Sequence, residues 1–130
     1  MLPTENWRVD FDGHSPIYQQ IIMNFSRAIA TEELKPGDRI PSIRDLAVAL
    51  KVNTNTIQRA YQEMERDKLI YTQRGTGYFI MENEEITVKV KQVMINQAMS
   101  QFLEEMRALG YSDTQIVAEL QQKLKQGGAS

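Results

Sequence analysis

The chain contains no cysteine. That one absence removes disulfides, thiol nucleophiles, cysteine zinc sites and thiol redox sensing together. No apolar run approaches the roughly 20 residues needed to span a bilayer. The opening residues Met1-Leu2-Pro3-Thr4-Glu5 have neither the basic start nor the apolar stretch of a secretory leader. The expectation is a cytoplasmic protein without membrane contact. No internal repeat and no low-complexity segment is present. No serine–histidine, cysteine–histidine or phosphate-loop pattern occurs either, so the expectation is a non-enzyme that uses no cofactor.

What is present fits one main domain with a short appendage, since the chain has 130 residues. With 42% hydrophobic and 25% charged residues, it has the composition of an ordinary globular protein. The net charge of −2 argues weakly against a nucleic-acid partner, but the distribution is uneven. Residues 1–34 carry two basic and five acidic side chains, residues 35–80 eight basic and five acidic, and residues 81–130 five basic and seven acidic. A basic middle between acidic ends is a modest electrostatic footprint for DNA.

The order of elements gives that footprint a frame. Asp10 to His14 reads as an extended piece and a turn. Ser15-Pro16 then starts a helix, with Ser15 as N-cap and Pro16 at the first helical position. Ile17, Ile21, Phe25, Ala28 and Ile29 share its apolar face, and it ends near Thr31–Leu34, ahead of the Pro36-Gly37 turn. Pro41-Ser42 opens a second helix of about ten residues, where Ser42 and Asp45 form a capping pattern and Ile43, Leu46, Ala47 and Leu50 face inward. Lys51-Val52-Asn53 breaks it. Asn53 caps a third helix with Ile57, Ala60, Tyr61 and Met64 inside and Asn55, Gln58, Arg59, Gln62 and Arg66 outside. Two short helices joined by a tight turn make a helix-turn-helix. The period then changes: Leu69 to Gln73 reads as a strand, Arg74-Gly75-Thr76-Gly77 as a turn, and Tyr78 to Met81 as the returning strand. That hairpin is a wing.

Residues 84 to about 109 read as one long helix. Ile95, Met99, Phe102, Met106 and Leu109 step by 4-3-4-3, a heptad stripe that Ala98 and Leu103 broaden. Gly110 stops it. Ser112-Asp113-Thr114-Gln115 is a capping-box start for a last helix, with Ile116, Val117, Leu120 and Leu124 inside, and Gly127 to Ser130 form a frayed tail. The fold class is mainly α with a small β-hairpin. A winged helix-turn-helix DNA-binding domain occupies residues 1–82, and a two-helix C-terminal dimerisation extension residues 83–130.

A helix-turn-helix sets the start of its second helix against base edges in the major groove. Here that start is Asn53, Thr54, Asn55 and Thr56, followed by Gln58 and Arg59. Asn and Gln pair bidentately with adenine, and Arg with guanine. Short hydroxyls and N-terminal amides suit phosphate oxygens. Arg44, Lys51 and Arg74 lie on elements that flank the groove, where phosphate contacts position a protein. Gly75 and Gly77 let the wing backbone approach DNA closely, with Thr76 between them. The same residues also fit an ordinary capped helix with a solvated polar face.

Residues 16–80 resemble the DNA-binding domain of the GntR family of bacterial transcription regulators. The resemblance rests on four stretches in order: Pro16 to Ile21 (PIYQQI), Leu34 to Ala47 (LKPGDRIPSIRDLA), Asn53 to Tyr61 (NTNTIQRAY), and Arg74 to Phe79 (RGTGYF). It implies DNA contacts from Arg44, from Asn53 to Thr56 with Gln58, and from the wing tip at Arg74 and Gly75. Most members carry Ser-Arg where Asn53-Thr54 stand and Arg where Gln58 stands, which removes the basis for assigning the family's common operator. The Asn-x-Asn-Thr form with Arg59-Ala60-Tyr61, the tail of about fifty residues and the Ala108 to Ser112 connection are similar to the YtrA-type subgroup. That likeness implies dimerisation by the tail and control of transporter genes, including those linked to cell-envelope stress. The stripe agrees, because one helix cannot bury such a face alone.

The expected partners are therefore double-stranded DNA bearing a pseudo-palindromic operator, a second copy of the chain, and at most an unknown small-molecule effector, for which the tail leaves little volume. The expected role is repression. A winged helix used for protein–protein contact is the alternative. A longer regulator with an aminotransferase-like domain is set aside, since the capped, heptad-patterned tail leads one to expect a chain complete as it stands. Asp10, Asp12 and His14 alternate as metal ligands might, but a lone histidine with two carboxylates reads as a polar turn. Met94, Met99 and Met106 read as core filling, and Trp7 and Tyr18 as packing residues.

Overall fold

The structure, a computed structural model, describes Val9 and residues 11–127. Asp10, Trp7 and the tail residues Gly128 to Ser130 lie outside that range. The elements run α1 (Ile17–Ala30), β1 (Arg39–Ile40), α2 (Ile43–Leu50), α3 (Thr54–Arg66), β2 (Ile70–Gln73), β3 (Gly77–Ile80), α4 (Glu85–Ala108) and α5 (Asp113–Gln126). The chain divides into two compact units, Met1–Gln92 and Val93–Ser130.

In the first unit, α1 begins one residue away from expectation. Pro16, not Ser15, holds the N-cap position with φ −54° and ψ 143°, and no side chain caps the helix. The Pro16 carbonyl instead accepts from the Gln19 and Gln20 amides at 3.1 and 3.2 Å. The expected Ser15 cap is thus corrected: proline's fixed φ with an extended ψ already suits the flanking position. Ahead of it, Asp12 Oδ1 accepts from the His14 and Ser15 amides at 2.8 and 3.3 Å, which closes the expected turn.

Ile21, Phe25, Ala28 and Ile29 of α1 are buried against α3, while Ile17 lies at the exposed end of the stripe. Leu46 and Ala47 of α2 and Ile57, Ala60, Tyr61 and Met64 of α3 complete the helical part of the core. Tyr61 stands edge-on between Phe25 and Tyr78, with ring centroids at 5.8 and 4.9 Å. Its hydroxyl donates to the Pro41 carbonyl at 2.7 Å, so the one polar atom of a fully buried ring is satisfied. Burial holds that hydroxyl far above the ordinary phenol value of 10.0.

The sheet has three strands in the order β1-β3-β2, both pairings antiparallel. The hairpin was legible, but β1 is additional. It is two residues long, too short for any alternation to register. Ile80 ties it down, accepting from the Gly37 amide and donating to the Asp38 carbonyl at 2.9 and 2.8 Å. Gly77 begins β3 and does not belong to the turn, which occupies Arg74 to Thr76. The first turns of α4 start at Asn83, whose Oδ1 accepts from the Glu85 amide at 2.9 Å, and bury Ile86 and Val90.

In the second unit, α4 ends in a Schellman arrangement. Gly110 has φ 92°, its amide donates to the Arg107 carbonyl, and the Tyr111 amide donates to the Met106 carbonyl. The capping box of α5 is complete: Ser112 Oγ accepts from the Gln115 amide at 3.2 Å, and Gln115 Oε1 accepts from the Ser112 amide at 2.8 Å. The expected inward face of α5 is corrected. Ile116 is 4% exposed, but Val117, Leu120 and Leu124 are 55%, 39% and 64% exposed. An apolar stripe that no other element of the chain packs against stays open in a single chain.

Candidate nucleic-acid interface

The link between α2 and α3 is three residues long, and its geometry is set locally. Ser42 Oγ accepts from the Asp45 amide at 3.0 Å, which fixes the start of α2. Lys51 ends the helix in the left-handed region at φ 58°, with its amide on the Val48 carbonyl and the Val52 amide on the Ala47 carbonyl. This is the glycine-type helix stop made with a lysine. Asn53 Oδ1 then accepts from the Asn55 amide at 2.7 Å and starts α3. One carboxamide oxygen is thereby committed to capping, which leaves Asn53 its Nδ2 group as a donor.

Beyond the cap, α3 separates its faces cleanly. Thr54, Asn55, Gln58 and Arg59 are exposed, and Thr56 is half-buried. The side chains of Thr54, Asn55 and Gln58 make no hydrogen bond among the described residues. Arg59 differs. Its guanidinium lies 3.9 Å above the Tyr18 ring, its Nη2 donates to the Tyr18 hydroxyl at 3.1 Å, and Glu63 stands 4.0 Å away. Tyr18 was read as a packing residue; what it packs is this arginine. Arg44 and Lys51 are exposed, and neither enters a salt bridge among the described residues.

The wing is fastened to α3 by Thr72 Oγ1, which donates to Glu65 Oε2 at 2.7 Å, and by the Leu69 amide on the Met64 carbonyl. Arg74, Gly75 and Thr76 at its tip are exposed, and Gly77 is half-buried. The two glycines are required for different reasons. Gly75 has φ 79° and open space around it, so the turn needs its backbone freedom. Gly77 has φ 139°, and a Cβ there would meet Arg39 Nε at 3.3 Å. Arg39 itself donates from Nη2 to the Thr76 carbonyl at 2.7 Å. Sequence reasoning passed over Arg39 because it belongs to no periodic face.

Arg44, Asn53 to Thr56, Gln58, Arg59 and Arg74 to Gly77 thus all sit on α2, α3 and the hairpin of the first unit. Ile95, Met99, Phe102 and Met106 lie along α4 in the second, and Leu109 follows its last residue. Ile95 and Met99 are about half exposed, and Leu109 is 78% exposed. Phe102, Met106 and Leu109 line an apolar hollow of about 380 Å³ with Tyr111, Leu120, Glu119 and Lys123. Among the described residues, no group of three or more His, Asp or Glu could hold a metal, and no helix is long and apolar enough to cross a membrane.

A three-helix core whose second and third helices flank a tight turn, followed by a hairpin, defines the chain as a winged helix-turn-helix protein. The chain belongs to the GntR family of bacterial regulatory proteins, whose family model matches residues 17–80. It is 39% identical over 107 residues to the HTH-type transcriptional regulator YhcF of Bacillus subtilis, covering 82% of this chain and 88% of that one. It is also 39% identical over 97 residues to the HTH-type transcriptional repressor YtrA of the same organism, covering 74% and 75%. Among solved structures, a GntR family transcriptional regulator from Listeria monocytogenes superposes with a TM-score of 0.78 at 38% identity, covering 86% of this chain and 98% of that one. These relatives are DNA-binding transcription regulators and not enzymes.

Proposed function

We propose that the chain is a cytoplasmic, dimeric, sequence-specific repressor that reads a pseudo-palindromic operator. The observation that carries this reading is the start of α3. Thr54, Asn55 and Gln58 present hydrogen-bonding groups with no intramolecular partner, and the exposed cations Arg44, Lys51 and Arg74 accompany them on the elements to either side. Exposed, unpartnered amides on a rigid helix suit base edges. Exposed cations around them suit phosphates.

In this reading residues 1–82 bind DNA and residues 83–130 dimerise. Asn55 and Gln58 read bases, Asn53 caps and donates through Nδ2, and Thr54 and Thr56 serve the phosphate edge. Arg59, stacked on Tyr18, supplies a fixed charge. Arg74, Gly75, Thr76 and Gly77 form the wing contact. Ile95, Met99, Phe102, Met106 and Leu109 bury their open stripe against a second copy. Occupancy of the operator excludes polymerase. Repression is the activity named for the YtrA relative, and a transporter or stress-response operon is the target that the subgroup resemblance implies. A small-molecule effector, where one acts, favours one spacing of the paired readers by differential affinity.

Fluorescence anisotropy on DNA from upstream of the protein's own gene tests this against scrambled DNA of equal length, at two salt concentrations. Preference for the native fragment that persists at the higher salt is expected. Equal, salt-sensitive binding to both would reduce the protein to a generic DNA binder. Salt-insensitive failure to bind either would favour a winged helix used for protein contact.

A further inference from the structure

We propose that Arg39 is a positioning residue for the wing: its side chain stands in for a missing length of β1 and holds the tip in its DNA-contacting form. The inference rests on the proposed role of the wing tip. β1 pairs with β3 only through Arg39↔Phe79 and Ile40↔Tyr78, while β3 continues to Gly77 and the turn lies beyond. On that edge the outermost part of the hairpin has no third strand beside it. The Thr76 carbonyl would there be left to water.

Arg39 fills the gap. Residues that face each other across a ladder lie on one face of the sheet, and so do residues two apart along a strand. Arg39, Phe79 and Gly77 therefore share a face, and a side chain leaving Arg39 toward the tip must cross Gly77. A Cβ at Gly77 would lie 3.3, 3.4 and 3.7 Å from Arg39 Nε, Nη2 and Cζ, so the guanidinium would have to give by a few tenths of an ångström, and φ 139° would itself strain a side-chained residue there. The glycine is the lane along which the arginine runs. At its end Nη2 reaches the Thr76 carbonyl at 2.7 Å, a charge-assisted hydrogen bond across 37 positions of sequence. The tip is thus held from both sides: Thr76's own amide bonds the Gln73 carbonyl at 2.9 Å within the hairpin, and its carbonyl is held by β1's side chain. Gly77 then serves DNA binding through Arg39 as well as through its place at the wing tip.

A double-mutant cycle on the full-length protein separates positioning from direct contact. Arg39→Met keeps the side chain's apolar length and the backbone pairing of β1, and Arg74→Met removes the tip cation. Each is expected to weaken operator binding, Arg74→Met by about tenfold, with thermal midpoints close to that of the parent. The combined variant is expected to bind no worse than about twice as weakly as Arg74→Met alone, because Arg39 acts through the tip. Arg39→Lys, which still reaches the carbonyl with one donor, recovers most of the affinity. Losses that multiply to about a hundredfold would make Arg39 an independent phosphate contact and overturn the proposal. So would full affinity in Arg39→Met, or a lowered thermal midpoint with affinity unchanged after correction for folded fraction. Full affinity in Arg74→Met would overturn the wing-tip reading itself, whatever Arg39→Met does.

Discussion

Lys51 shows how one residue is placed under competing demands. Its left-handed φ of 58° closes α2 and aims the chain at α3, a conformation that glycine adopts without cost and a side-chained residue does not. The proposed reason for a lysine here is its charge beside the DNA backbone. Lys51→Gly should then raise stability by about 1 kcal/mol, read by denaturant unfolding, while weakening binding to all DNA sequences alike. Asn55→Ala should do the reverse. It leaves stability unchanged, since the side chain has no partner among the described residues, and costs about 1–3 kcal/mol at the specific site only. An equal loss on scrambled DNA would make Asn55 a positioning contact. Tyr61 gives a prediction in pH. Its folded-state hydroxyl ionises well above 10.0 because of burial. The stability this confers is complete below pH 10 and is lost as pH rises beyond it, at about 1.4 kcal/mol per pH unit. Tyr61→Phe should flatten that alkaline fall and lower neutral stability by about 1–2 kcal/mol, because the Pro41 carbonyl loses its donor.

At the scale of elements, the helices were legible because each carries both a period and a stop. Ser42, Asn53 and Ser112 all cap as their spacing predicts, and Gly110 ends α4. What was not legible has a common physical cause: periodicity reports that a face is apolar or polar, not what covers it. Val117, Leu120 and Leu124 carry the spacing of a buried stripe, yet α5 buries only Ile116. Arg59 reads from the sequence as a DNA-contacting arginine of α3, and spacing does not reveal that Tyr18 lies under it. β1 and Arg39 carry no period at all, so neither the third strand nor the support of the wing could be found from spacing. The start of α3 is the opposite case, since a polar face directly after a cap is itself a pattern. The open stripe on α4 leads to a test: Met99→Glu and Phe102→Glu should each turn a dimer into a monomer by sedimentation while leaving the far-UV spectrum unchanged. A dimer that survives both would place the subunit contact elsewhere. Ser112→Ala should cost about 1 kcal/mol of α5 stability, read by amide exchange along α5.

At the scale of the whole molecule, a chain of net charge −2 binds a polyanion only if its charges are segregated. The excess of basic over acidic residues is confined to 35–80, the stretch that forms the reading helix and the wing. Acidic ends on either side limit nonspecific adhesion and leave more of the selectivity to base contacts. If Arg44, Lys51 and Arg74 of two protomers each neutralise one phosphate, the slope of log affinity against log salt should be about −5. In the proposed reading, dimerisation through α4 and DNA contact through α2, α3 and the wing are one device, because two readers match two half-sites only when the subunits are paired. Hydroxyl-radical footprinting on the native upstream fragment tests that pairing most directly. A dimeric reader predicts two protected patches on one face of the duplex, about one helical turn apart, both lost together in Phe102→Glu. A single patch that persists in that variant would contradict it.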